Sequence, residues 1–422
     1  MKNISLKNGL NIVINQMPNT HSFTIGLYVR AGTRYESFEE NGITHLLEHL
    51  HFRQLNNISQ SELYYKMESV GSTLRASTYC DFLKFTMKAC PKYLVNCIDI
   101  FKAILTTYNW SDKNFNQEKE LVIKQIDESS CNISTQNIIR KNLLGDCNLT
   151  YDIMGNKETI KKLSISDVIA YKRKFFNRNN ILICITGCIC KEDMFLIEHE
   201  FETLQIDFGK KHIPTCPLPM LYHREPNIVL YNDDWDYMDV NITFDISYQV
   251  VSLYELKILN CILGEGIGSR LQMRIREKMQ YTSDIFSQIE AYEDFAFLHI
   301  KYSIHKRQFI DCLLQIVSIL EHLKSDICPE DLAVSIPFYF DNQAFLQDDT
   351  EQMNFEIAYN NFIMGQDIDK TIINNDVESI ERLTTIARHV FVPKNMSVIA
   401  FGNYNDEIRT NIELVLQNLK EE

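Results

Sequence analysis

The sequence predicts an α+β protein of two tandem homologous domains, each with a mostly antiparallel sheet and helices packed on one face. First, FNRNNILICITG at 176–187 recurs as FVPKNMSVIAFG at 391–402, a constant offset of 215 residues. Second, four prolines fall within 208–226, which is typical of a linker. Third, strand patterns precede helical patterns in each half, which favours an antiparallel or mixed sheet. The predicted domains are therefore 1–207 and 227–422.

Short β-rich apolar runs predict the strands, and longer amphipathic patterns predict the helices. Strands are predicted at 10–15, 23–29, 181–185, 228–231, 240–246 and 396–400. An amphipathic helix follows each repeated segment, in KEDMFLIEHEFETL and in NDEIRTNIELVLQNL. The glycines of GEGIG, at 264–268, follow a helical pattern at 254–263. They predict a helix end and a turn instead of a phosphate-binding loop.

Composition excludes several classes of function. With 45% hydrophobic and 23% charged residues, the 422-residue chain is expected to fold around more than one core. Its 42 basic and 56 acidic residues leave a formal charge of -14, which argues against a nucleic-acid partner. The first residues lack the apolar region of a signal peptide, and the longest apolar run, 181–190, is too short to cross a bilayer. The twelve scattered cysteines predict reduced thiols, so we expect a cytoplasmic protein with no membrane contact.

The sharpest chemical signal is HLLEH within NGITHLLEHLHF, at 41–52. Apolar residues recur there at helical spacing, which predicts an amphipathic helix. His45 and His49 are four residues apart and share one helix face, where two imidazoles can bind one zinc ion. Glu48 can then act as a general base toward a metal-bound water, as in HxxEH sites. The alternative is that these side chains form only the polar side of a surface helix.

The stretch AGTRYESFEENGITHLLEHLHFR resembles the N-terminal signature of the pitrilysin/insulinase family of zinc peptidases, which includes the mitochondrial processing peptidase. ILGEGIGSRLQMRIREK, at 262–278, resembles the family's signature in the second domain. The resemblance covers the whole chain and suits the short bacterial branch, in which two such chains pair to enclose a chamber. It implies zinc-dependent peptide hydrolysis, with zinc on His45 and His49 and with Glu48 activating a water molecule. The implied partners are a peptide substrate and a similar peptidase-like chain, in a homodimer or a heterodimer.

The third zinc-ligand position departs from the family. The family uses a glutamate where NFNQEKELVIKQIDES places Gln125, and Glu118 falls seven residues earlier on the same helix face. An amide oxygen can bind zinc, but it is neutral and holds the ion less well than a carboxylate. Either Glu118 or Glu128 could turn inward and complete the site. The resemblance therefore gives His45, His49 and Gln125 as metal ligands, with these two glutamates left open as alternatives.

Two further departures concern substrate contacts. The family places an arginine and a tyrosine seven residues apart to reach the substrate, whereas Arg276 and Tyr281 are five apart. They are candidate catalytic residues beside Glu48, and the alternative is that they only cap and pack a helix end. Arg75 in TLRASTYCDF stands where the family usually has asparagine, on the strand whose edge receives the peptide. Backbone pairing along that edge can still bind a peptide, but Arg75 could alter side-chain preference.

Two functions follow from this pattern. The first is a zinc-dependent endopeptidase that hydrolyses small peptides or precursor and leader peptides inside a chamber formed with a partner chain. The second is a catalytically impaired or non-catalytic peptidase-like subunit that binds peptides and supports an active partner. The intact HLLEH motif favours the first, and the three departures favour the second.

Overall fold

The structure is a computed structural model, and its contacts divide the chain into two units. It describes residues 1–129, 135–145, 147–204, 227–232, 235–248, 251–365, 377–405 and 407–420. The first unit comprises Met1–Pro217 with Phe345–Ile368, and the second comprises Leu218–Ala344 with Asp369–Glu422, within those described residues. The predicted linker at 208–226 lies outside the described residues, so the proposed domain bounds stay a prediction.

The described strands form one six-stranded sheet in the first unit, one five-stranded sheet in the second, and a short hairpin. They are β1 Lys2–Ser5, β2 Asn11–Gln16, β3 Phe23–Val29, β4 Gln54–Leu55, β5 Ile58–Ser59, β6 Leu74–Thr78, β7 Leu83–Ala89, β8 Ile181–Gly187, β9 Asn227–Asn232, β10 Tyr237–Ser247, β11 Ile285–Ala291, β12 Phe295–His305 and β13 Met396–Gly402.

The described helices alternate with the strands along the sequence. The α-helices are α1 Ile43–Arg53, α2 Gln60–Ser69, α3 Leu94–Thr106, α4 Asp112–Ser129, α5 Thr135–Leu144, α6 Lys157–Lys162, α7 Ile165–Phe175, α8 Lys191–Glu202, α9 Leu253–Leu263, α10 Phe309–Leu323, α11 Pro329–Phe345, α12 Thr350–Ala358, α13 Val377–Val390 and α14 Ile408–Leu416. Gln272–Lys278 and Tyr359–Ile363 are π-helical segments.

The first unit is built on the strand order β1-β2-β8-β3-β7-β6. Only the β2–β8 pairing among these is parallel, and the other four are antiparallel. Strand β3 is buried along its whole length, because its alternate side chains meet packed layers on both faces of the sheet. One face packs against apolar side chains of α1, α3 and α7, which forms the main core of this unit.

Helix α12 covers the opposite face of the same sheet, although it comes from the second half of the sequence. Its Asn354 donates to the carbonyl oxygens of Cys184 and Thr24, at 2.8 and 3.2 Å, and accepts from the Tyr28 hydroxyl at 2.9 Å. Gly26 leaves room for this amide, because a side chain there would clash with Asn354. The internal repeat gives no sign that a helix from one half packs on the sheet of the other.

The second unit has the strand order β11-β12-β10-β13-β9. Its only parallel pairing among the described strands is β13–β9, and its core joins this sheet to α9, α10, α13 and α14. The predicted fold class is confirmed: both units are α+β with mostly antiparallel sheets. GEGIG follows α9 as a turn, as predicted. Among the described helices, none has the length and apolar character needed to cross a membrane.

Candidate active site

Helix α1, which carries the HxxEH residues, begins at a buried carboxylate. Gly42 precedes it in a left-handed conformation, φ 92°, which only glycine adopts without strain. The Glu36 carboxylate accepts hydrogen bonds from the Gly42 and Thr44 N–H groups at 2.9 and 3.0 Å, and from the Thr44 hydroxyl at 2.6 Å. Burial raises the pKa of Glu36, while these hydrogen bonds oppose the rise. Glu36 therefore satisfies the first donors of the helix.

The inner face of α1 is fixed by a buried lysine. His51, which is fully buried, has Nδ1 2.7 Å from the Leu47 carbonyl oxygen and Nε2 3.0 Å from Lys172 Nζ. Lys172 also donates to the carbonyl oxygens of Ile104 and Thr107, at 2.6 Å each, near the end of α3. Burial lowers the pKa of Lys172 well below its usual range. The Lys172 amine thus donates to three acceptors, and these hydrogen bonds join α1, α3 and α7 behind the site.

The outer face of α1 presents His45, Glu48 and His49, whose side chains are 16%, 13% and 19% exposed. The His45 and His49 rings lie edge to face with centroids 4.6 Å apart. Glu48 Oε2 is 3.8 Å from His45 Nδ1 and accepts a hydrogen bond from the Thr78 hydroxyl of β6 at 2.5 Å. The candidate base therefore lies between a candidate ligand and an edge strand of the sheet.

The charge states of this pair follow from their proximity. Burial alone would lower the pKa of His45, but Glu48 outweighs it and raises that pKa. Burial alone would raise the pKa of Glu48, but His45 and Thr78 outweigh it and lower that pKa. Glu48 is therefore a carboxylate at neutral pH.

Helix α4 brings two polar side chains to the histidines. Gln125 Oε1 lies 3.2 Å from His45 Nε2, and Glu118 Oε2 lies 3.1 Å from His49 Nδ1. Glu118 also accepts from Arg53 Nε at 2.5 Å. Glu128, the other alternative, is exposed. Glu118 is thus placed to orient His49 through Nδ1 and to leave its Nε2 available, which is the usual role of a carboxylate behind a metal-binding histidine.

The chemistry of the donor set would give a zinc ion two imidazoles and one neutral amide oxygen. Two ligands of one tetrahedral zinc, each about 2.0–2.1 Å from it, lie about 3.3 Å apart. His45 Nε2 and Gln125 Oε1 are 3.2 Å apart, a separation that suits two ligands of one ion and equally a direct hydrogen bond between the two side chains. Within the described residues, no group of three or more His, Cys, Asp or Glu side chains is arranged to hold a metal. Gln125, whose side chain is a neutral amide, stands where the family resemblance implies a carboxylate, and its role as a ligand stays a prediction.

The remaining sequence-derived candidates belong to the second unit. Arg276 is in the π-helical segment of the second unit, with Nη1 3.7 Å from Glu277. Tyr281 packs at the margin of that unit's core and donates its N–H to the Ile275 carbonyl oxygen. Their proposed catalytic roles stay predictions. Sequence reasoning did not find Glu36, Arg53 or Lys172, because their partners are brought to them by the fold and not by a local motif.

An HxxEH helix beside the last described strand of a sheet, with a third polar residue supplied by a second helix, has the architecture of metallopeptidases with the inverted zinc motif. Residues 11–153 match the family model described as insulinase (peptidase family M16), and 162–336 match the model described as peptidase M16 inactive domain. The chain belongs to the pitrilysin/insulinase (M16) peptidase family.

Known relatives cover from about half of the chain to nearly all of it. An uncharacterized zinc protease, YmxG of Bacillus subtilis, is 22% identical over 93% of this chain and 96% of its own length. The mitochondrial-processing peptidase subunit beta of Saccharomyces cerevisiae is 27% identical over 52% of this chain and 47% of its own. A chain of complex III2 from Candida albicans has the same fold, with a TM-score of 0.80 and 15% identity over 98% of this chain and 99% of that one.

Proposed function

We propose that this chain is a zinc-dependent endopeptidase that cleaves small peptides or the leader segments of precursors. The observation that carries the proposal is the position of Glu48, a carboxylate held by Thr78 of an edge strand and 3.8 Å from His45. A base in this position can accept a proton from a water molecule beside a peptide that is bound along that edge. The HLLEH motif and its supporting contacts to Glu36 and Lys172 are complete.

His45, His49 and Gln125 would hold the zinc ion. A zinc ion bound there would supply Lewis-acid activation of a water molecule and of the peptide carbonyl. Glu48 accepts the proton and later returns it to the leaving amine, which balances the hydrolysis. Glu118, neutralised in part by Arg53, keeps the His49 ring oriented.

The peptide would bind as an added strand. Strand β6 is last in its sheet, and β7 is its one partner among the described strands. Its outer backbone groups can pair with an extended peptide. We also propose that a second peptidase-like chain, identical or different, closes a chamber around this edge, since the related processing-peptidase chain is named as a subunit. The pair would act in the cytoplasm, because the twelve scattered cysteines favour a reducing compartment.

A second candidate function is favoured by one observation, the neutral Gln125 at the third ligand position. A site without the third carboxylate binds zinc less tightly. We therefore also consider a non-catalytic subunit that binds peptides along β6 and delivers them to an active partner chain.

Zinc content separates the two candidates. The full chain is equilibrated with zinc, freed of excess and analysed for metal, with His45→Ala as the matched control. Retention of about one zinc per chain that His45→Ala abolishes supports the peptidase. Cleavage of a mixture of quenched fluorescent peptides is then measured with and without zinc. A chain that binds peptides but holds no zinc and cleaves nothing is the non-catalytic subunit.

A further inference from the structure

We propose that Arg75 is a specificity-determining residue, which selects an acidic side chain at the peptide position paired with it. This inference rests on the proposed binding of a peptide to β6, and it adds the chemical class of the residue that the strand prefers. The selection acts when the peptide docks, whether or not cleavage follows.

The two faces of β6 have different roles. Register with β7 pairs Arg75 with Thr86 and Thr78 with Leu83. Because alternate residues of a strand point to opposite faces, Thr78 points to the face that carries Glu48, and Arg75 points to the face covered by α12. An added peptide strand would therefore present one set of side chains to Glu48 and the other set to Arg75.

The guanidinium of Arg75 is available to a peptide. Its side chain is 68% exposed, and its one described ion pair joins Nη1 to Glu351 of α12, 3.2 Å from the nearer carboxylate oxygen. That pair uses one of the nitrogens and leaves the Nε and Nη2 donors for a second carboxylate. A groove of about 440 Å³ adjoins it, lined in part by Ser72, Thr73 and Lys88.

The sign of the preference follows from cross-strand pairing. Residues directly opposite on neighbouring strands lie about 4.5–5.5 Å apart at Cβ and share a face, so opposite charges stabilise the pair and like charges destabilise it. A lysine or arginine opposite Arg75 would meet a like charge at that distance. The groove also contains Glu68 and Glu351, but Glu351 is already paired with Arg75, and neither lies on the edge strand.

The selected position lies a fixed distance from the bond that would be cleaved. Arg75 is three residues before Thr78, whose hydroxyl bonds Glu48. The acidic residue should therefore lie about three residues, or roughly 10 Å of extended chain, from the peptide residue beside Glu48. The direction of the added strand decides whether it precedes or follows that residue.

The test measures binding of labelled peptides that are uncharged except for one glutamate or one lysine at a varied position. It uses the full chain carrying Glu48→Gln, so that peptides stay intact, alone and combined with Arg75→Glu or Arg75→Gln. Lys2→Glu is the matched control, because Lys2 is an exposed ion-paired residue on β1, at the other edge of the same sheet.

We expect one position at which glutamate binds up to about five-fold tighter than lysine, reversed by Arg75→Glu, erased by Arg75→Gln and kept by Lys2→Glu. A preference that survives Arg75→Glu, or one that Lys2→Glu shifts equally, would overturn the role of Arg75. Peptides that bind without regard to charge would overturn this inference and leave the proposed peptide binding intact. Failure of every peptide to bind would overturn both.

Discussion

Helix α1 of the first unit and helix α9 of the second hold the same place in their folds but carry different chemistry. Each follows a central strand, and each hydrogen-bonds to an edge strand: Thr78 of β6 donates to Glu48, and Ser287 of β11 donates to Asn260 at 2.6 Å. Asn260 in turn donates to Glu265 at 2.7 Å, so its amide is satisfied within the fold. Glu48 instead lies between the two histidines and β6, the last described strand of its sheet. The two units therefore repeat the same helix-to-edge-strand arrangement, but only α1 carries side chains suited to catalysis.

The largest expected effect is on peptide cleavage, when Glu48, the residue that distinguishes α1 from α9, is replaced. Glu48→Gln should lower peptide cleavage by about a hundredfold to ten-thousandfold, because it removes the proton acceptor and makes α1 chemically like α9. The amide oxygen can still accept from Thr78, so the melting temperature should stay close to that of the wild type. Cleavage rates of the two proteins at matched zinc provide the measurement. Equal rates would exclude Glu48 as the base.

The next effect concerns the support behind α1. Lys172→Met should lower the free energy of unfolding by about 3 kcal/mol or more, because it leaves His51 and the carbonyl oxygens of Ile104 and Thr107 without their donor. Denaturant unfolding measures the loss. Lys174→Met, an exposed position on the same helix, should change stability by less than about 0.5 kcal/mol. Similar losses in both variants would show that the buried amine has no special role.

A third change concerns the zinc affinity of the proposed site in the first unit. Gln125→Glu places a carboxylate 3.2 Å from the nitrogen of His45, which should tighten zinc binding on the order of tenfold. Competition with a fluorescent chelator measures the affinity, and Gln117→Glu, the same change at an exposed position of the same helix, serves as the control. Unchanged affinity in Gln125→Glu would mean that residue 125 is not a ligand.

Periodicity in the sequence predicted six of the thirteen described strands and the HxxEH helix, because these elements show in local apolar spacing. The strands at 23–29 and 240–246 and helix α1 are each visible as apolar spacing within a few residues. The pairing of His51 with Lys172 could not be read this way, because the two are brought together only by tertiary packing. The same holds for α12, whose place on the first sheet depends on Asn354 meeting backbone carbonyls of strands far away in sequence. Periodicity reports which face of an element is buried, but not which element buries it.

The smallest effect compares the starts of the two helices. Helix α1 begins at Glu36, a buried carboxylate whose pKa is raised by burial from its ordinary 4.5. Helix α9 begins at Ser252. The Glu255 carboxylate accepts hydrogen bonds from the Ser252 N–H at 3.0 Å and from Arg382 Nε at 2.7 Å. Burial would raise the pKa of Glu255, but Arg382 and Ser252 outweigh it and lower that pKa.

The two carboxylates should therefore respond to pH in opposite senses. A raised folded-state pKa means that the contribution of Glu36 is full below pH 4.5 and falls as the pH rises through its folded value. A lowered folded-state pKa means that the contribution of Glu255 to the free energy of unfolding is full above pH 4.5. That contribution falls as the pH drops through the pKa of Glu255 in the folded protein. Relative to wild type, the destabilisation by Glu36→Gln should shrink as the pH rises, and that by Glu255→Gln should grow, each by about 1 kcal/mol or less. Thermal unfolding of the three proteins between acid and neutral pH measures both slopes. If the destabilisation by the two variants changed with pH in the same sense, the pKa values of Glu36 and Glu255 would not be shifted in opposite directions. Burial at the start of α1 would then not disfavour the charged carboxylate of Glu36 relative to that of Glu255, which is ion-paired at α9.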